Sequence, residues 1–257
     1  MRAGHDTQKV WDSARLFLYE TTCDEFAYSY GGTGFLVQWS GTFFLVTAAH
    51  VINAGMSNGH CLDRLFVTNP LKPLVCLGIC SKHWISRLNG METDLPSCAD
   101  VVLLRVAPSS IEDAATSAYD LSRVCGAEVG AHCHAVGFPS GANNGPVSQI
   151  DYDDQNISPA RQIIEGIVDR IDQSSFSIRV TIPTGPIKRP SGILVPVQYP
   201  RDLDGMSGSP VFGEDGLIGM TIQAGYDSIG LISAPFIREV VRRTVAQNAN
   251  ESKVTNA

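Results

Sequence analysis

Residues 205–211 read Gly205-Met206-Ser207-Gly208-Ser209-Pro210-Val211. A serine set among glycines can sit on a tight turn with its hydroxyl exposed and its own N–H free. Gly205 lets the backbone aim a second N–H at the same point. Two such donors can hold a developing oxyanion, usually the largest electrostatic contribution to acyl transfer. Alone the pattern is weak, because glycine–serine turns serve many loops without chemistry.

Two segments further upstream change its weight. Phe43-Phe44-Leu45-Val46-Thr47-Ala48-Ala49-His50-Val51 reads as a strand that runs into small residues and then a single histidine. Small residues allow close packing beneath an imidazole. Ala99-Asp100-Val101-Val102-Leu103-Leu104-Arg105-Val106 places an acid at the head of an apolar strand. A carboxylate there is costly to bury without a partner, and a histidine N–H would satisfy it. Read singly, His50 fits a structural residue and Asp100 fits a strand-initiating turn.

Taken together, the three segments resemble the trypsin-like, chymotrypsin-fold serine peptidases in residue identity, order and spacing. The order His50, Asp100, Ser207 is theirs; subtilisin-like enzymes and α/β-hydrolases use other orders. Gly32-Thr33-Gly34-Phe35-Leu36-Val37 resembles the strand before the histidine segment. Gly137-Phe138-Pro139 resembles a turn common in bacterial members, and Leu217-Ile218-Gly219-Met220 resembles the strand after the nucleophile. The resemblance spans about Gly31 to Val241.

The resemblance implies an all-β fold: two antiparallel six-stranded β-barrels packed face to face, with a C-terminal α-helix. It implies a serine endopeptidase with Ser207 as nucleophile, His50 as general base and Asp100 as its orienting carboxylate, and an oxyanion hole from the Gly205 and Ser207 N–H groups. It implies no cofactor and no metal, and a protein or peptide substrate held by strand-like pairing. The pocket wall is expected from 201–204, 221–225 and 228–231, with Arg201, Thr221, Gln223 and Ala224 as substrate-binding candidates. Arg201 lies six residues before Ser207, where secreted trypsins keep a pocket-floor charge. It favours an acidic substrate side chain, or the loop is remodelled and Arg201 faces solvent. Thr221 stands where glutamate-cutting relatives place a histidine.

The chain also departs from secreted trypsins. Met206 replaces the aspartate before the nucleophile, and no Ile-Val-Gly-Gly-like start precedes the first strand. Activation by N-terminal cleavage is therefore not expected. The pattern is closer to the protease domain of bacterial high-temperature-requirement proteases, without an appended peptide-binding domain. A regulatory protein partner and a bacterial stress or defence role follow from resemblance only. An inactive peptide-binding relative and an esterase-like hydrolase remain as alternatives.

The 257 residues carry 19 basic and 26 acidic side chains, a formal net charge of −7. That balance argues against nucleic acid, whose phosphates need clustered Lys and Arg. Arg238, Arg242 and Arg243 fit the solvent face of a helix instead. No apolar run is long enough to span a bilayer. The first residues lack the apolar core of a signal peptide, so no membrane partner and a cytoplasmic location are expected. Seven cysteines, an odd number, favour free thiols over a disulfide framework. Cys76-x3-Cys80 and His132-Cys133-His134 lack the spacing of a zinc site.

Short apolar segments punctuated by Gly and Pro suggest many strands. The whole chain, 1–257, is read as one peptidase unit: an N-terminal barrel over 15–108, a linker over 109–124, a second barrel over 125–234, a helix over 235–247 and a flexible tail over 248–257. A helix is also expected over 109–122, behind a Ser cap and an acidic first turn at Glu112 and Asp113. Residues 141–158, polar and rich in Asn, Asp and Gly, are expected to form a long loop.

Overall fold

The computed structural model describes residues 11–22, 27–68, 74–85, 100–139, 150–151, 156–157, 161–172, 175–180, 187–188, 194–195, 205–224 and 228–254. Its first half contains strands β1 (Ala14–Glu20), β2 (Tyr28–Trp39), β3 (Thr42–Ala48), β4 (Arg64–Val67), β5 (Val75–Trp84) and β6 (Val101–Val106), with helix α1 (Ala49–Ser57) after β3. They hydrogen-bond in the order β1-β4-β5-β6-β3-β2, and β2 returns to β1, closing a six-stranded barrel. Closure pairs each of these six strands on both sides among the described residues.

Between the halves lie the short helix α2 (Ile111–Ala115) and strand β7 (Tyr119–Asp120), which adds to β2 in parallel. The single helix expected over 109–122 is thus cut to one turn plus a strand. Tertiary contacts override the local signal here. Tyr119 is buried, its hydroxyl donates to the Arg123 carbonyl at 2.9 Å and accepts from the Leu217 N–H of the second half.

The second half contains β8 (His132–Gly137), β9 (Ile150–Asp151), β10 (Asn156–Ile157), β11 (Gln162–Ile171), β12 (Ser175–Val180), β13 (Ile187–Lys188), β14 (Leu194–Val195), β15 (Pro210–Gly213), β16 (Gly216–Ala224) and β17 (Ser228–Ser233). Six of these close a second barrel in the order β11-β12-β17-β16-β15-β8. β9 and β10 pair with each other inside the stretch expected to be all loop; the rest of 141–158 lies outside the described residues. The last described element is helix α3 (Ala234–Val254), which starts one residue earlier and ends seven residues later than expected. Its last two turns contain neither Pro nor Gly, so nothing in the backbone stops the helix at Gln247.

The apolar runs are explained by which face each residue serves. On β3, Phe43 and Leu45 join one buried cluster while Phe44 and Val46 join another. On β1, Phe17 and Tyr19 divide from Leu16 and Leu18 in the same way. Neighbouring residues on a strand face opposite sides, so a continuous apolar run means both faces are covered. One cluster fills the first barrel. A smaller one, with Cys133, Ala135, Ile164, Val211 and Leu231, fills the second. The third joins outward faces of the first barrel to Val136, Phe212, Met220 and Ile232 of the second, and to Ile237, Val240 and Val241 of α3. The barrels therefore share one apolar seam, and the site lies on segments that border it.

Candidate active site

His50 is the second residue of α1, directly after the Ala48–Ala49 step out of β3. A helix start leaves N–H groups unpaired, and Ala48, at the cap position, has no side chain to accept them. Asp100 supplies both acceptors from the head of β6. Its carbonyl accepts the Ala49 N–H at 3.2 Å and its Oδ1 accepts the His50 N–H at 2.8 Å. Its other oxygen, Oδ2, lies 2.7 Å from His50 Nδ1. One carboxylate thus caps the helix and orients the ring, with the helix N-terminal dipole favouring its charge.

The ring geometry assigns the protons. A carboxylate accepts, so Nδ1 carries the hydrogen and neutral His50 keeps a lone pair on Nε2. The bond to Asp100 raises the His50 pKa above its ordinary value; partial burial lowers it, and the charge of Asp100 raises it further. The His50 side chain is 52% exposed and Asp100 25%, so the pair borders solvent.

Ser207 sits on a turn whose backbone is held from several sides. Gly205 and Gly208 have φ of 91° and 89°, a region open to glycine at little cost. A side chain at 208 has no room: its Cβ would lie 2.1 Å from the Thr33 carbonyl oxygen and 2.4 Å from Thr47 Oγ1. The turn therefore packs against β2 and the end of β3, three residues before His50. Thr47 itself donates to the Thr33 carbonyl at 2.7 Å.

On the inner side, the Met206 carbonyl accepts from the Ser209 N–H at 2.9 Å and from the Thr221 hydroxyl. A trans peptide sets C=O and the next N–H on opposite sides. The Ser207 N–H is therefore turned away from the interior, and among the described residues it has no acceptor. The Ser207 hydroxyl donates to the Ile222 carbonyl at 3.3 Å. The Met206 side chain is buried in the second-barrel cluster. A Cβ at Gly137 would come within 2.7 Å of its sulfur and 2.0 Å of Ser209 Oγ, which accounts for glycine in Gly137-Phe138-Pro139.

The expected specificity residues separate. Thr221 is buried at 2% exposure, and its hydroxyl is taken up by Met206 and Ser209. It supports the Ser207 turn from beneath. Gln223 is exposed, at an irregular step where β16 pairs with β17. Ala224 is the last residue of β16. Arg201 and 202–204 lie outside the described residues, as does 225. Tyr30, Thr33, Thr47 and the Ile222 carbonyl contact the Ser207 turn, and the sequence does not single them out. Only Thr-Ala-Ala-His and Gly-Thr-Gly carry a trace of them.

The site's parts are of the kinds that acyl transfer uses: an imidazole whose Nε2 can accept, a hydroxyl on a held turn, and an N–H beside it with no acceptor among the described residues. Comparison with known proteins agrees with the fold. Human heparin binding protein aligns over 91% of each chain with a TM-score of 0.55 at 14% identity. A second structure, of HBP at atomic resolution, aligns over 93% of each chain with a TM-score of 0.56 at 12% identity. Curated protein sequences give no match. The sequence profile of the trypsin-like peptidase domain matches residues 32–220, a span that holds His50, Asp100 and Ser207. With that match over most of its length and two closed barrels, the chain belongs to the trypsin-like peptidase domain family.

Proposed function

We propose that the protein is an active serine endopeptidase. The observation that carries the reading is the Asp100–His50 pair, 2.7 Å apart through Nδ1, which leaves Nε2 free to accept a proton. In this reading Ser207 Oγ rotates away from the Ile222 carbonyl and attacks a peptide carbonyl carbon while Nε2 takes its proton. The carbonyl oxygen becomes an oxyanion against the Ser207 and Gly205 N–H groups. His50 then gives its proton to the leaving amine as the C–N bond breaks. Water, deprotonated by His50, hydrolyses the acyl-enzyme and returns Ser207. Asp100 keeps the ring oriented and stabilises the imidazolium.

Substrate enters as an extended segment pairing with the exposed end of β16 near Gln223, as peptides add to strand edges. Arg201 is proposed to favour an acidic side chain. A specific protein target in a bacterial stress or defence setting, with a regulatory partner, extends the same reading. A reducing, cytoplasmic location fits the five cysteines that form no disulfide among the described residues.

A peptide-binding module without activity is favoured by one feature: Ser207 bonds to Ile222 and, among the described residues, not to His50. A polyanion such as the ligand named for heparin binding protein suits this chain poorly, since its net charge is −7. A fluorophosphonate probe separates the readings. The wild type is expected to label stoichiometrically, and Ser207→Ala and His50→Ala not at all. Mapping of new protein N-termini with wild type against Ser207→Ala then identifies targets. A wild type that neither labels nor cuts a denatured protein substrate overturns the endopeptidase reading.

A further inference from the structure

The carbonyl of Gly205 is held from the opposite barrel. Thr33, wholly buried on β2, donates from Oγ1 to it at 2.9 Å. The same oxygen accepts the Phe138 N–H at 2.9 Å. Its one proton is therefore left for a carbonyl, and Gly205, nearer than Phe138 at 3.4 Å, receives it. Tyr30 stands beside it: its hydroxyl donates to the Phe138 carbonyl at 2.6 Å and lies 3.3 Å from the Gly205 oxygen. Thr33 thus links a strand of the first barrel to two backbone segments of the second, 105 and 172 residues away in sequence.

This matters because of what Gly205 is. At a φ of 91°, a glycine can turn over its following peptide at little steric cost. The flip would reverse the Gly205 carbonyl and the Met206 N–H and shift the backbone donors on either side. A hydroxyl that binds the carbonyl in one orientation removes that freedom. With the Met206 carbonyl already tied to Ser209 and Thr221, both peptides before Ser207 then have a single orientation.

We infer that Thr33 is a positioning residue for the oxyanion donors: its hydroxyl selects the productive orientation of the Gly205–Met206 peptide, with Tyr30 in support. The inference rests on the endopeptidase reading for its catalytic consequence and on hydrogen-bond geometry alone for its structural one. It also assigns a use to the threonine of Gly32-Thr33-Gly34, which a strand does not require.

The test compares wild type, Thr33→Val and Thr33→Ser. Valine keeps the volume and removes the donor; serine restores the hydroxyl. Active sites are titrated, so that a smaller folded fraction does not count as slower chemistry. Per active site, phosphonylation by a fluorophosphonate and kcat on a peptide ester are expected to fall about tenfold to a hundredfold in Thr33→Val, the size of effect seen when donors are misplaced. KM and the pH midpoint set by His50 should stay put, and Thr33→Ser should return most of the rate. Equal per-site rate constants in wild type and Thr33→Val overturn the inference. If the valine variant does not fold, Thr33→Cys, with a weaker donor of similar size, should show an intermediate loss. Amide exchange over 205–209 needs no activity: it should quicken in Thr33→Val and not in Thr33→Ser. Unchanged exchange overturns the clamp even if the wild type proves inactive, whereas a wild type that no probe labels, with exchange behaving as expected, removes only the peptidase reading.

Discussion

At the residue scale, Asp100 carries two jobs that a pH profile can separate. Its bond raises the His50 pKa, and His50 must be neutral to accept a proton. Activity is therefore expected to fall, on acidification, at a pH above that of an unperturbed imidazole, about 6.5. In Asp100→Asn the raising bond to a carboxylate is lost, so the acid limb moves to lower pH. The turnover number should drop by up to about 10⁴-fold, as it does when the matching aspartate of chymotrypsin-fold enzymes becomes asparagine. A kcat/KM profile of both proteins checks the direction, and a limb that does not move removes Asp100 as the partner of the base. Gly208 offers a second test. Ala at 208 adds backbone strain of about 1–3 kcal/mol and a clash with the Thr33 carbonyl oxygen, 2.1 Å from the new Cβ. Gly41 has a φ of 75° but open space around it, so Gly41→Ala carries strain alone. Urea denaturation should show Gly208→Ala as clearly the less stable of the two, with slowed fluorophosphonate labelling; equal stability would mean the turn is free to move.

At the scale of elements, legibility in the sequence tracks how local each interaction is. β3, β6 and the Ser207 turn are readable because their signals lie within about ten residues of chain: an apolar run, an acid before it, glycines at fixed offsets. The C-terminal helix is readable on its apolar face through Ile237, Val240 and Val241, but not in length, since its last turns are polar and carry no stop signal. The helix expected over 109–122 fails for the opposite reason. Its acidic first turn does open α2, but Tyr119 is drawn into β7 by contacts with Arg123 and Leu217. Thr221 reads as pocket wall, but a strand position does not reveal that Met206 and Ser209 claim its hydroxyl. Thr33 and Tyr30 are invisible as site residues because their partners, Phe138 and Gly205, lie more than a hundred residues away. Cross-barrel hydrogen bonds of that kind leave no periodicity to read.

At the scale of the whole molecule, His50 and Asp100 come from one barrel and Ser207 from the other, so what fixes the barrels against each other bears on any joint action of the three. Polar ties such as Thr33 to Gly205 fix orientation, but each contributes only about 1 kcal/mol net. The shared apolar seam contributes more, because it buries many large side chains at once. It includes Phe35, Val46 and Leu103 from the first barrel, Val136, Phe212 and Met220 from the second, and Ile237 and Val241 from α3. Because these residues form one contiguous cluster, losing either barrel exposes the seam of the other. The two barrels are therefore expected to unfold together, although a chain of 257 residues could have behaved as two units. Ile237 is fully buried in that seam from the helix side. Ile237→Ala should cost about 2–5 kcal/mol and move one common denaturation midpoint, followed in parallel by near-UV circular dichroism and by labelling of Ser207. Labelling lost at lower urea than the circular dichroism signal, in wild type or variant, would mean that the barrels part before they unfold and that the seam does not couple them.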